Sequence, residues 1–444
     1  MRLACVAMIA LLLSTRTYPT GTIVALTPQQ YATLNSALSG SSIYVAPVSS
    51  GPLSVFVDVP VALKNLSLNR PTLAWTQIAT DSFIKHKTSP NRAARVLAIL
   101  HVAMHDAWFF VDARCGVTEP AACAQDARAL AVNASAARVL RYMFIAEESN
   151  FDRYVHQLAF TDKQPGDSAL TSIDHRKKWL AVGQLVGDAA VKYAETDGAA
   201  KGWNGSNLEY YGEGRIYGPG SWEPTPPYFY YPPEEPFAPY WRPWVLTTPS
   251  EFRPTPPAFA SERYMKDLRE VISVSTDRPN DEQKKIARFW ADGRGSVTPA
   301  GHWNQIALSL AKSSDLSDRD VVELFAQLNM ALADAFIAAW DAKYANWTLR
   351  PVTAAKKLLG IELQPLILTP PFPSYVSGHA TFSGAAAVVL SAYLPETKAV
   401  LIDIAEQATI SRLYGGIHFR FDNEDGLVLG RQVGAKVLAK WARR

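Results

Sequence analysis

Three short segments in the C-terminal part of the chain carry residue types that bind and transform an oxyanion. They contain Lys343 and Arg350 in "KYANWTLRP", Ser377, Gly378 and His379 in "FPSYVSGH", and Arg412, His418 and Asp422 in "SRLYGGIHFRFD". Together the segments offer three cations, two histidines, a hydroxyl and a glycine amide. A multiply charged anion that leaves water needs several buried cations and charge-assisted hydrogen bonds. The segments therefore predict a pocket for a tetrahedral oxyanion.

Lys343 and Arg350 are seven residues apart, which on one helix places both side chains on the same face, roughly 10 Å from each other. Because a residue before proline avoids the helical region, this helix should end near Arg350, next to Pro351. On a shared face the two cations can lean together around one anion. Taken alone, the pair is more typical of two solvated surface charges.

Ser377, Gly378 and His379 stand where a helix should begin. The first amides of a helix lack partners within it and its dipole favours negative charge, so a serine hydroxyl and a glycine amide form a natural oxyanion cradle. Glycine also allows a ligand to approach the backbone closely. His379 can donate or accept a proton near neutral pH. An ordinary N-cap followed by an incidental histidine would explain the pattern equally well.

Arg412, His418 and Asp422 form the third group. Asp422 follows His418 by four residues, one helical turn, so its carboxylate can accept the Nδ1 proton and leave Nε2 basic. That arrangement is typical of a nucleophilic or ligating histidine. A core histidine with a surface carboxylate is the plain alternative, but it would not account for Arg412 or for Gly415 and Gly416 between them.

Helical patterns dominate the chain after residue 70. Apolar residues recur at helical spacing in "NRAARVLAILHVAMHDAWFFVDA", in the long alanine-rich segment before Lys343 and in "GHATFSGAAAVVLSAYL". Strand-like alternation is scarce and no short repeat occurs. The predicted fold class is all-α, a large helical-bundle domain with long irregular loops.

The longest irregular loop should be the stretch 201–257, which is rich in Gly, Pro and aromatic residues. Prolines fix φ and remove backbone donors too often there for a helix or a strand. Its main expected role is an ordered crossover held down by its aromatic side chains. The alternative is a rim around the mouth of the site, where substrate selectivity would be decided.

The 444 residues divide into three expected regions: a signal peptide over 1–20, an N-terminal extension over 21–70 and a catalytic domain over 71–444. The apolar run at positions 3–13 has the length of a signal-peptide core and is too short to span a bilayer. After its removal we expect no membrane span and a secreted protein, extracellular or, in a Gram-negative host, periplasmic. The 44 basic and 41 acidic residues, a net charge of +3, argue against nucleic-acid binding.

Two further pairs of residues have spacings that carry expectations. Cys115 and Cys123 lie in a loop with Gly and Pro, and a disulfide is the simplest expectation for them in an oxidising compartment. His101 and His105 are four apart on a predicted helix, a spacing that can bind a metal. No third ligand is evident in the sequence, so packing is the preferred interpretation of the two histidines.

The three segments together resemble a known signature. Lys343-x6-Arg350-Pro351, Pro373-Ser374-x2-Ser377-Gly378-His379 and Ser411-Arg412-x5-His418-x3-Asp422 follow, in order and spacing, the signature of the vanadium-dependent haloperoxidases. The type 2 phosphatidic acid phosphatase superfamily shares this signature. The resemblance covers roughly residues 72 to 440 and includes "RFWADGRGSVTPAGHWNQIA". The second segment departs slightly from the family pattern, with "YV" between Ser374 and Ser377.

The resemblance implies orthovanadate bound through the imidazole of His418. Its oxygens would contact five further residues: Lys343, Arg350, Arg412, Ser377 and Gly378. His379 would handle the peroxide proton as acid and base, and Lys343 would polarise the bound peroxide.

Three more positions align with family positions around this site. Trp340 and Phe372 align with residues that line the halide site of chloroperoxidase-type members, although each alone is as well explained as a core aromatic. Asp292, in "WADG", resembles a carboxylate that pairs with the cations of the site.

The expected function is therefore an exported haloperoxidase that oxidises a halide with hydrogen peroxide to hypohalous acid, which then reacts with a diffusible organic acceptor. The alternative is a soluble acid phosphatase, without a cofactor, in which His418 forms a phosphohistidine and His379 protonates the leaving group. Phosphate and vanadate share charge and shape, so the oxyanion ligands alone leave both open. The missing membrane helices of lipid phosphatases and the Trp340 and Phe372 lining favour the peroxidase. The halide preference and the oligomeric state are not predicted.

Overall fold

The computed structural model describes residues 70–115, 121–160, 173–200, 210, 217–276 and 280–442. Within these ranges every regular element is a helix, apart from one isolated bridge between Ser221 and Thr348. The all-α fold class is therefore confirmed. The expected signal peptide, nearly all of the expected N-terminal extension and part of the loop from residue 201 lie outside the described residues. So does the side chain of Cys123, and its disulfide with the buried Cys115 stays a prediction.

Thirteen α-helices make up most of the described part of the chain, with three short 3₁₀ turns at Ile145–Glu147, Ala238–Tyr240 and Pro395–Thr397. The helices are α1 (Pro71–Lys85), α2 (Pro90–Cys115), α3 (Ala121–Met143), α4 (Glu148–Phe160), α5 (Ile173–Thr196), α6 (Glu262–Thr276), α7 (Asp281–Phe289), α8 (Thr298–Ser313), α9 (Asp318–Asn346), α10 (Pro351–Leu359), α11 (Gly378–Tyr393), α12 (Lys398–Tyr414) and α13 (Arg420–Ala442).

Helix α9 is the central element of the bundle and carries Lys343 near its end. It begins at a capping box, in which the Ser317 hydroxyl accepts a hydrogen bond from the Asp320 amide and the Asp320 carboxylate accepts one from the Ser317 amide. From Val321 to Tyr344 almost every side chain is buried, because α9 contacts α2, α11 and α13. Packing on all sides holds the side chains of α9 in fixed positions.

Helices α2 and α9 are each long and apolar enough to cross a membrane by length and composition. Inside the bundle, however, 72% and 94% of their most apolar windows are buried. Central helices of a packed bundle have the same composition, since they face apolar neighbours in nearly every direction. Burial in the core accounts for the hydropathy of both helices.

Helices α11 and α13 approach each other more closely than ordinary side chains allow. A Cβ atom on Gly430 would lie 2.0 Å from the Thr381 carbonyl oxygen, and one on Gly384 would lie 2.4 Å from the Leu427 carbonyl oxygen. Glycine is required at both positions, because a side chain would push the two helix backbones apart. The second and third groups of site residues surround the starts of α11 and α13, so this contact sets the distance between the groups.

The loop between α5 and α6 has no regular structure in its described part beyond one 3₁₀ turn and the isolated bridge, as its prolines predict. Asp334 of α9 anchors it. The buried Asp334 carboxylate accepts hydrogen bonds from the amides of Trp244, Val245 and Leu246, at 2.7, 2.7 and 2.9 Å. Burial raises the pKa of Asp334 to about 6, while the three amides act in the opposite direction. The loop is thus tied to the helix that carries Lys343.

The two histidines of α2 form no metal cluster within the described residues. The His101 ring is hydrogen-bonded to the Thr76 hydroxyl at 2.8 Å and to the Leu97 carbonyl at 2.8 Å. Burial lowers the pKa of His101 to about 4, so its ring is neutral. His105 hydrogen-bonds to the neighbouring Asp106 at 3.0 Å. These contacts agree with a packing role for both rings.

Candidate active site

The three groups of predicted residues meet in one buried cluster. Lys343 Nζ donates hydrogen bonds to the carbonyls of Pro373, at 3.0 Å, and Ser374, at 2.9 Å, just before the second group. Arg350 Nη1 donates to His418 Nε2 of the third group at 3.0 Å. The first group therefore bridges the other two.

Lys343 and Arg350 do not share a helix face, and that expectation is wrong. Helix α9 ends at Asn346, because Trp347 adopts a left-handed conformation with φ 51° and donates its amide to the Lys343 carbonyl. Arg350 lies beyond this turn, extended at φ −81° and ψ 155°, as the N-cap of α10. The turn at Trp347 ends the helix before Pro351 can, and the extended segment brings the Arg350 side chain back to His418.

The two arginines of the cluster are held mainly by backbone carbonyls. Arg350 donates from Nε to Phe372 at 2.8 Å and from Nη1 to Ile417 at 2.9 Å, while its buried Nη2 has no hydrogen-bond partner among the described residues. Arg412 donates from Nη2 to the Trp290 carbonyl and from Nε to the Ser411 hydroxyl, at 3.0 Å. Both guanidinium groups are thus fixed in place without being neutralised by these partners.

Lys343, Arg350 and Arg412 are three buried cations, 0%, 0% and 1% exposed. Across the described chain, no carboxylate lies within ion-pair distance of any of them. Burial lowers the pKa of Lys343 well below its ordinary value, and the neighbouring Arg350 adds to this. Burial likewise lowers the pKa of Arg350 to about 9 and that of Arg412 to about 10. A cluster of buried cations without paired anions is costly unless an anion binds there.

His418 lies between these cations and Asp422. Its Nδ1 donates to Asp422 Oδ2 at 2.8 Å, which fixes the tautomer and leaves the Nε2 lone pair directed at Arg350. Asp422 Oδ2 also accepts hydrogen bonds from the Ser374 hydroxyl, at 2.5 Å, and the Phe419 amide, at 3.2 Å. Burial, followed by the surrounding cations, lowers the pKa of His418 well below its ordinary range. His418 is therefore a neutral, oriented imidazole.

The Asp422 carboxylate titrates in an unusual range. Burial raises its pKa to about 7, while the Ser374 hydrogen bond and the charges of Lys343 and Arg350 act in the opposite direction. The bond between Asp422 and His418 was predicted within a helical turn, but His418 precedes α13 and Asp422 belongs to its first turn.

Ser377 and Gly378 form the start of α11. Ser377 is the N-cap, with its hydroxyl accepting from the Ala380 amide at 3.4 Å and its own amide donating to the Asp422 carbonyl at 2.9 Å. A Cβ atom on Gly378 would meet only a Trp340 ring atom, at 3.6 Å, within 4 Å. The space beside the Gly378 backbone is therefore open at a helix N-terminus, where an anion is favoured.

His379 faces a second carboxylate. Its side chain is 18% exposed, and its Nε2 lies 4.0 Å from Asp292 Oδ2. This Nε2 atom is buried and has no hydrogen-bond partner in the described structure. His302 Nδ1 donates to the same Asp292 oxygen at 3.0 Å. Burial and then Arg412 lower the pKa of His379 well below its ordinary value. The Asp292 charge also partly offsets the lowering of the Arg412 pKa by burial.

Trp340 and Phe372 form an aromatic wall beside the cations. Their ring centroids are 4.9 Å apart. Lys343 Nζ lies 5.1 Å from the Phe372 ring and 5.7 Å from the Trp340 ring, and the Arg350 guanidinium lies 4.9 Å from the Phe372 ring. Both predicted wall residues therefore reach the site, where they keep water from the cations.

Three contacts of the site involve residues that the sequence did not single out. His302 binds Asp292, as described, and Arg294 forms an ion pair with Glu234. The Glu234 carbonyl accepts a hydrogen bond from Trp340 Nε1 at 3.1 Å, although the two residues are 106 positions apart. Only the "ADGRGS" context of Arg294 could have suggested its place, whereas no local signal marks Glu234.

This donor set fits a tetrahedral oxyanion. Arg350 Nη2 and His379 Nε2 are buried polar atoms without hydrogen-bond partners among the described residues, and leaving such atoms unpaired is costly. The open side of Gly378 offers room, and three cations offer the charge. Orthovanadate, a tetrahedral anion that can take a nitrogen ligand, matches both requirements.

Comparisons with known proteins identify similar sequences and structures. A family model described as the VCPO second helical-bundle domain matches residues 323–401 and 399–444, which contain all three groups. The vanadium chloroperoxidase of Curvularia inaequalis is 27% identical over 378 residues, covering 67% of this chain. The resemblance to the vanadium haloperoxidases is therefore confirmed. The chain spans 60% of the length of that curated relative.

Solved structures extend the vanadium haloperoxidase relationship over most of the described fold. The first bacterial vanadium-dependent iodoperoxidase superposes with a TM-score of 0.68 and 26% identity, covering 84% of this chain and 96% of that one. An apo-type bacterial vanadium-dependent chloroperoxidase has a TM-score of 0.63 and 15% identity, covering 80% and 94%, and shares the fold. The chain accordingly has the helical fold of these haloperoxidase structures.

Proposed function

We propose that this enzyme uses bound vanadate to oxidise a halide with hydrogen peroxide, giving hypohalous acid and water with the uptake of one proton. The observation that carries the proposal is the set of three buried cations around the directed Nε2 of His418, none of which has a carboxylate within ion-pair distance among the described residues. A structural cluster would be expected to pair its buried charges internally. This cluster instead leaves positive charge for an anion to neutralise.

The chain's own residues would share the work of holding the cofactor. His418 would be the ligand to vanadium through Nε2, and the oxygens would contact Lys343, Arg350, Arg412, Ser377 and Gly378. Bound vanadate would supply a Lewis-acid centre that makes peroxide oxygen electrophilic. Asp422 keeps the His418 proton on Nδ1, so that Nε2 stays available as a ligand.

His379 is the residue best placed to move the proton that the reaction consumes. Its lowered pKa leaves it neutral near pH 7, so it can accept a proton from peroxide and deliver it to the departing oxygen. The Trp340 and Phe372 rings exclude water on the side of Lys343, where a weakly hydrated halide is accommodated more readily than a strongly hydrated anion.

The deciding experiment is halide oxidation by purified protein with hydrogen peroxide, with and without orthovanadate. We expect turnover that requires orthovanadate. Iodide, bromide and chloride are assayed separately, because one relative is named for chloride and another for iodide. Phosphate-ester hydrolysis by the vanadate-free protein runs in parallel. Hydrolysis that vanadate inhibits, together with no oxidation of any halide, would replace the proposal by the phosphatase alternative.

We also propose that the protein is exported after removal of residues 1–20 and that its product reacts with a diffusible organic acceptor. The support is the apolar run at positions 3–13. N-terminal sequencing of protein recovered from the medium or the periplasm tests export. A start at Met1 in protein retained by the cell would contradict it.

A further inference from the structure

One ion pair joins the two walls of the site. The Glu234 carboxylate contacts the Arg294 guanidinium. Asp292 and its partner His302 form a polar wall that faces His379. Arg294 lies two residues after Asp292. Glu234 belongs to the loop between α5 and α6, on the side of the aromatic wall. The pair therefore spans the space between a polar wall and an aromatic wall.

Glu234 is anchored directly to the aromatic wall by its backbone. Its amide donates to the Pro371 carbonyl at 3.0 Å, next to Phe372. Its carbonyl accepts from Trp340 Nε1 at 3.1 Å and from the Tyr344 hydroxyl at 2.7 Å. These backbone contacts do not depend on the charge of the side chain. The carboxylate can therefore be changed while the wall is still held.

The pair lies on the side of the site that is open to solvent. Lys343 is 0% exposed, the His379 side chain is 18% exposed, and the Arg294 side chain is 57% exposed. The Glu234 side chain is 16% exposed. Arg294 is thus the most exposed of these side chains, so the ion pair reaches solvent while the Glu234 backbone contacts the aromatic wall.

The two charges of the pair balance each other at this opening. Burial raises the pKa of Glu234, whereas the charge of Arg294 lowers it and Glu235 raises it. Glu235 is itself paired with Arg92, at 2.6 Å. Arg294 therefore offsets part of the effect of burial on the pKa of Glu234. Loss of either partner would leave one uncompensated charge there.

We propose that Glu234 and Arg294 are a specificity-determining pair whose balanced charges set how strongly the opening of the site attracts the halide ion. This inference rests on the proposed function, since it assigns the pair to the halide of that reaction. Within the described structure, the side chains of the pair bond to each other and to none of the proposed vanadate ligands. The pair acts on the anionic substrate and leaves the neutral substrate, hydrogen peroxide, unaffected.

Two variants shift the balance in opposite directions. Glu234→Gln leaves Arg294 unpaired, and we expect the KM for bromide or iodide to fall about two- to four-fold. Arg294→Gln leaves the carboxylate, and we expect the same KM to rise by about the same factor. The KM for hydrogen peroxide and kcat should stay within error. The double variant should return to the halide KM of the wild type.

Matched controls separate this effect from net charge and from damage to the fold. Glu195→Gln and Lys192→Gln change the same charges in an exposed pair on α5, 44% and 71% exposed, and should leave the halide KM unchanged. A purely structural role for the ion pair would move both site variants in the same direction and would alter kcat and the peroxide KM. Either that result or unchanged halide KM values in an active wild type would overturn the proposal.

A second measurement does not depend on turnover. Quenching of tryptophan fluorescence by iodide, in protein without vanadate, should increase in Glu234→Gln and decrease in Arg294→Gln, because iodide is charged. Quenching by acrylamide, which is neutral, should stay the same in both. If the wild type oxidises no halide, the proposed function fails, and iodide quenching still decides whether the pair controls anion entry. Equal iodide quenching in all proteins would overturn it.

Discussion

Several of the site's hydrogen bonds converge on Asp422. One carboxylate oxygen accepts bonds from the His418 ring, the Ser374 hydroxyl and the Phe419 amide. Ser374 in turn presents its carbonyl to Lys343 Nζ. The carboxylate thus fixes the imidazole tautomer and, through Ser374, the segment that receives the lysine. It is a positioning residue for both ends of the site.

Replacement of Asp422 by Asn should weaken orthovanadate binding about 10- to 100-fold, because the partner of a ligating histidine sets its tautomer and basicity. Calorimetric titration of the vanadate-free protein with orthovanadate measures this. Asp425→Asn, on the same helix and bonded to the Tyr375 hydroxyl, is the matched control and should leave the affinity unchanged.

His418→Ala should abolish turnover and keep the helical fold. Full activity in His418→Ala would rule out its assigned role.

Anion binding should be coupled to proton uptake. In the ligand-free site, burial and neighbouring cations hold the pKa values of Lys343, His379 and His418 below their ordinary ranges. A bound anion stabilises the protonated forms and raises these values again, so protons enter with the anion. Sulfate carries no titratable proton near neutrality and is a suitable probe. Its affinity should increase as the pH falls from about 9 to about 6.

Calorimetry in two buffers with different ionisation enthalpies counts the protons taken up with sulfate. Lys343→Met should reduce that number, because it removes one of the groups whose pKa the anion raises. A sulfate affinity independent of pH would show that the cations are fully charged before the anion arrives.

The sequence predicted where helices begin better than it predicted where they end. The N-cap at Ser377 is a local pattern, and α11 begins where this pattern stands. The end of α9 at Asn346 was missed, because a left-handed tryptophan has no local sequence signal. Its position depends on Trp222, whose amide donates to the Trp347 carbonyl, and on the neighbouring Ser221–Thr348 bridge.

The close contact of α11 and α13 yields a prediction for Gly430→Ala. The added methyl would lie 2.0 Å from the Thr381 carbonyl oxygen, so the helices must separate. We expect a loss of about 1–3 kcal/mol in the free energy of unfolding and weaker orthovanadate binding, since the contact sets the distance between Ser377 and His418. Denaturant unfolding measures the first effect.

Gly218→Ala is the control for this substitution, because nothing lies within 4 Å of a Cβ atom there. It should change the unfolding free energy by less than about 0.5 kcal/mol. Equal stability of the two variants would mean that the bundle tolerates a wider separation of α11 and α13 than their backbones indicate.

For the whole molecule, the site is a region where stability is given up for binding. Three buried cations that have no paired carboxylate in the described part of the chain oppose folding, and an anion that binds only the folded state reverses this cost. Orthovanadate at 100 times its Kd should stabilise the protein by about 2.7 kcal/mol and raise its Tm. Thermal melting with increasing orthovanadate checks this.

Arg350→Met should lose most of this rise in Tm, whatever its own Tm, because it removes a cation that faces His418. Arg138→Gln, which breaks an ion pair with Asp188 between α3 and α5, should keep the rise. A Tm of wild-type protein that orthovanadate does not change would contradict a built oxyanion site.

The amino-acid sequence by itself determined the helical class and the list of candidate oxyanion-binding residues. Helical periodicity is local, and cations, histidines and small residues at fixed spacings report chemistry before any fold is known. The residues Lys343, Arg350, His379, Arg412 and His418 were therefore available from the printed chain. Their roles as vanadate ligands and acid-base groups rest on the resemblance and await the experiments above.

Only the tertiary structure decided how these residues meet and what surrounds them. The turn at Trp347 and the Glu234 contacts with Trp340 and Arg294 depend on pairs far apart in the chain. Such pairs are formed by packing, which no local pattern encodes. Burial also decides the properties of the three cations. In water the same side chains would be ordinary surface charges. Inside the bundle they lose their solvent, so that binding an anion becomes favourable.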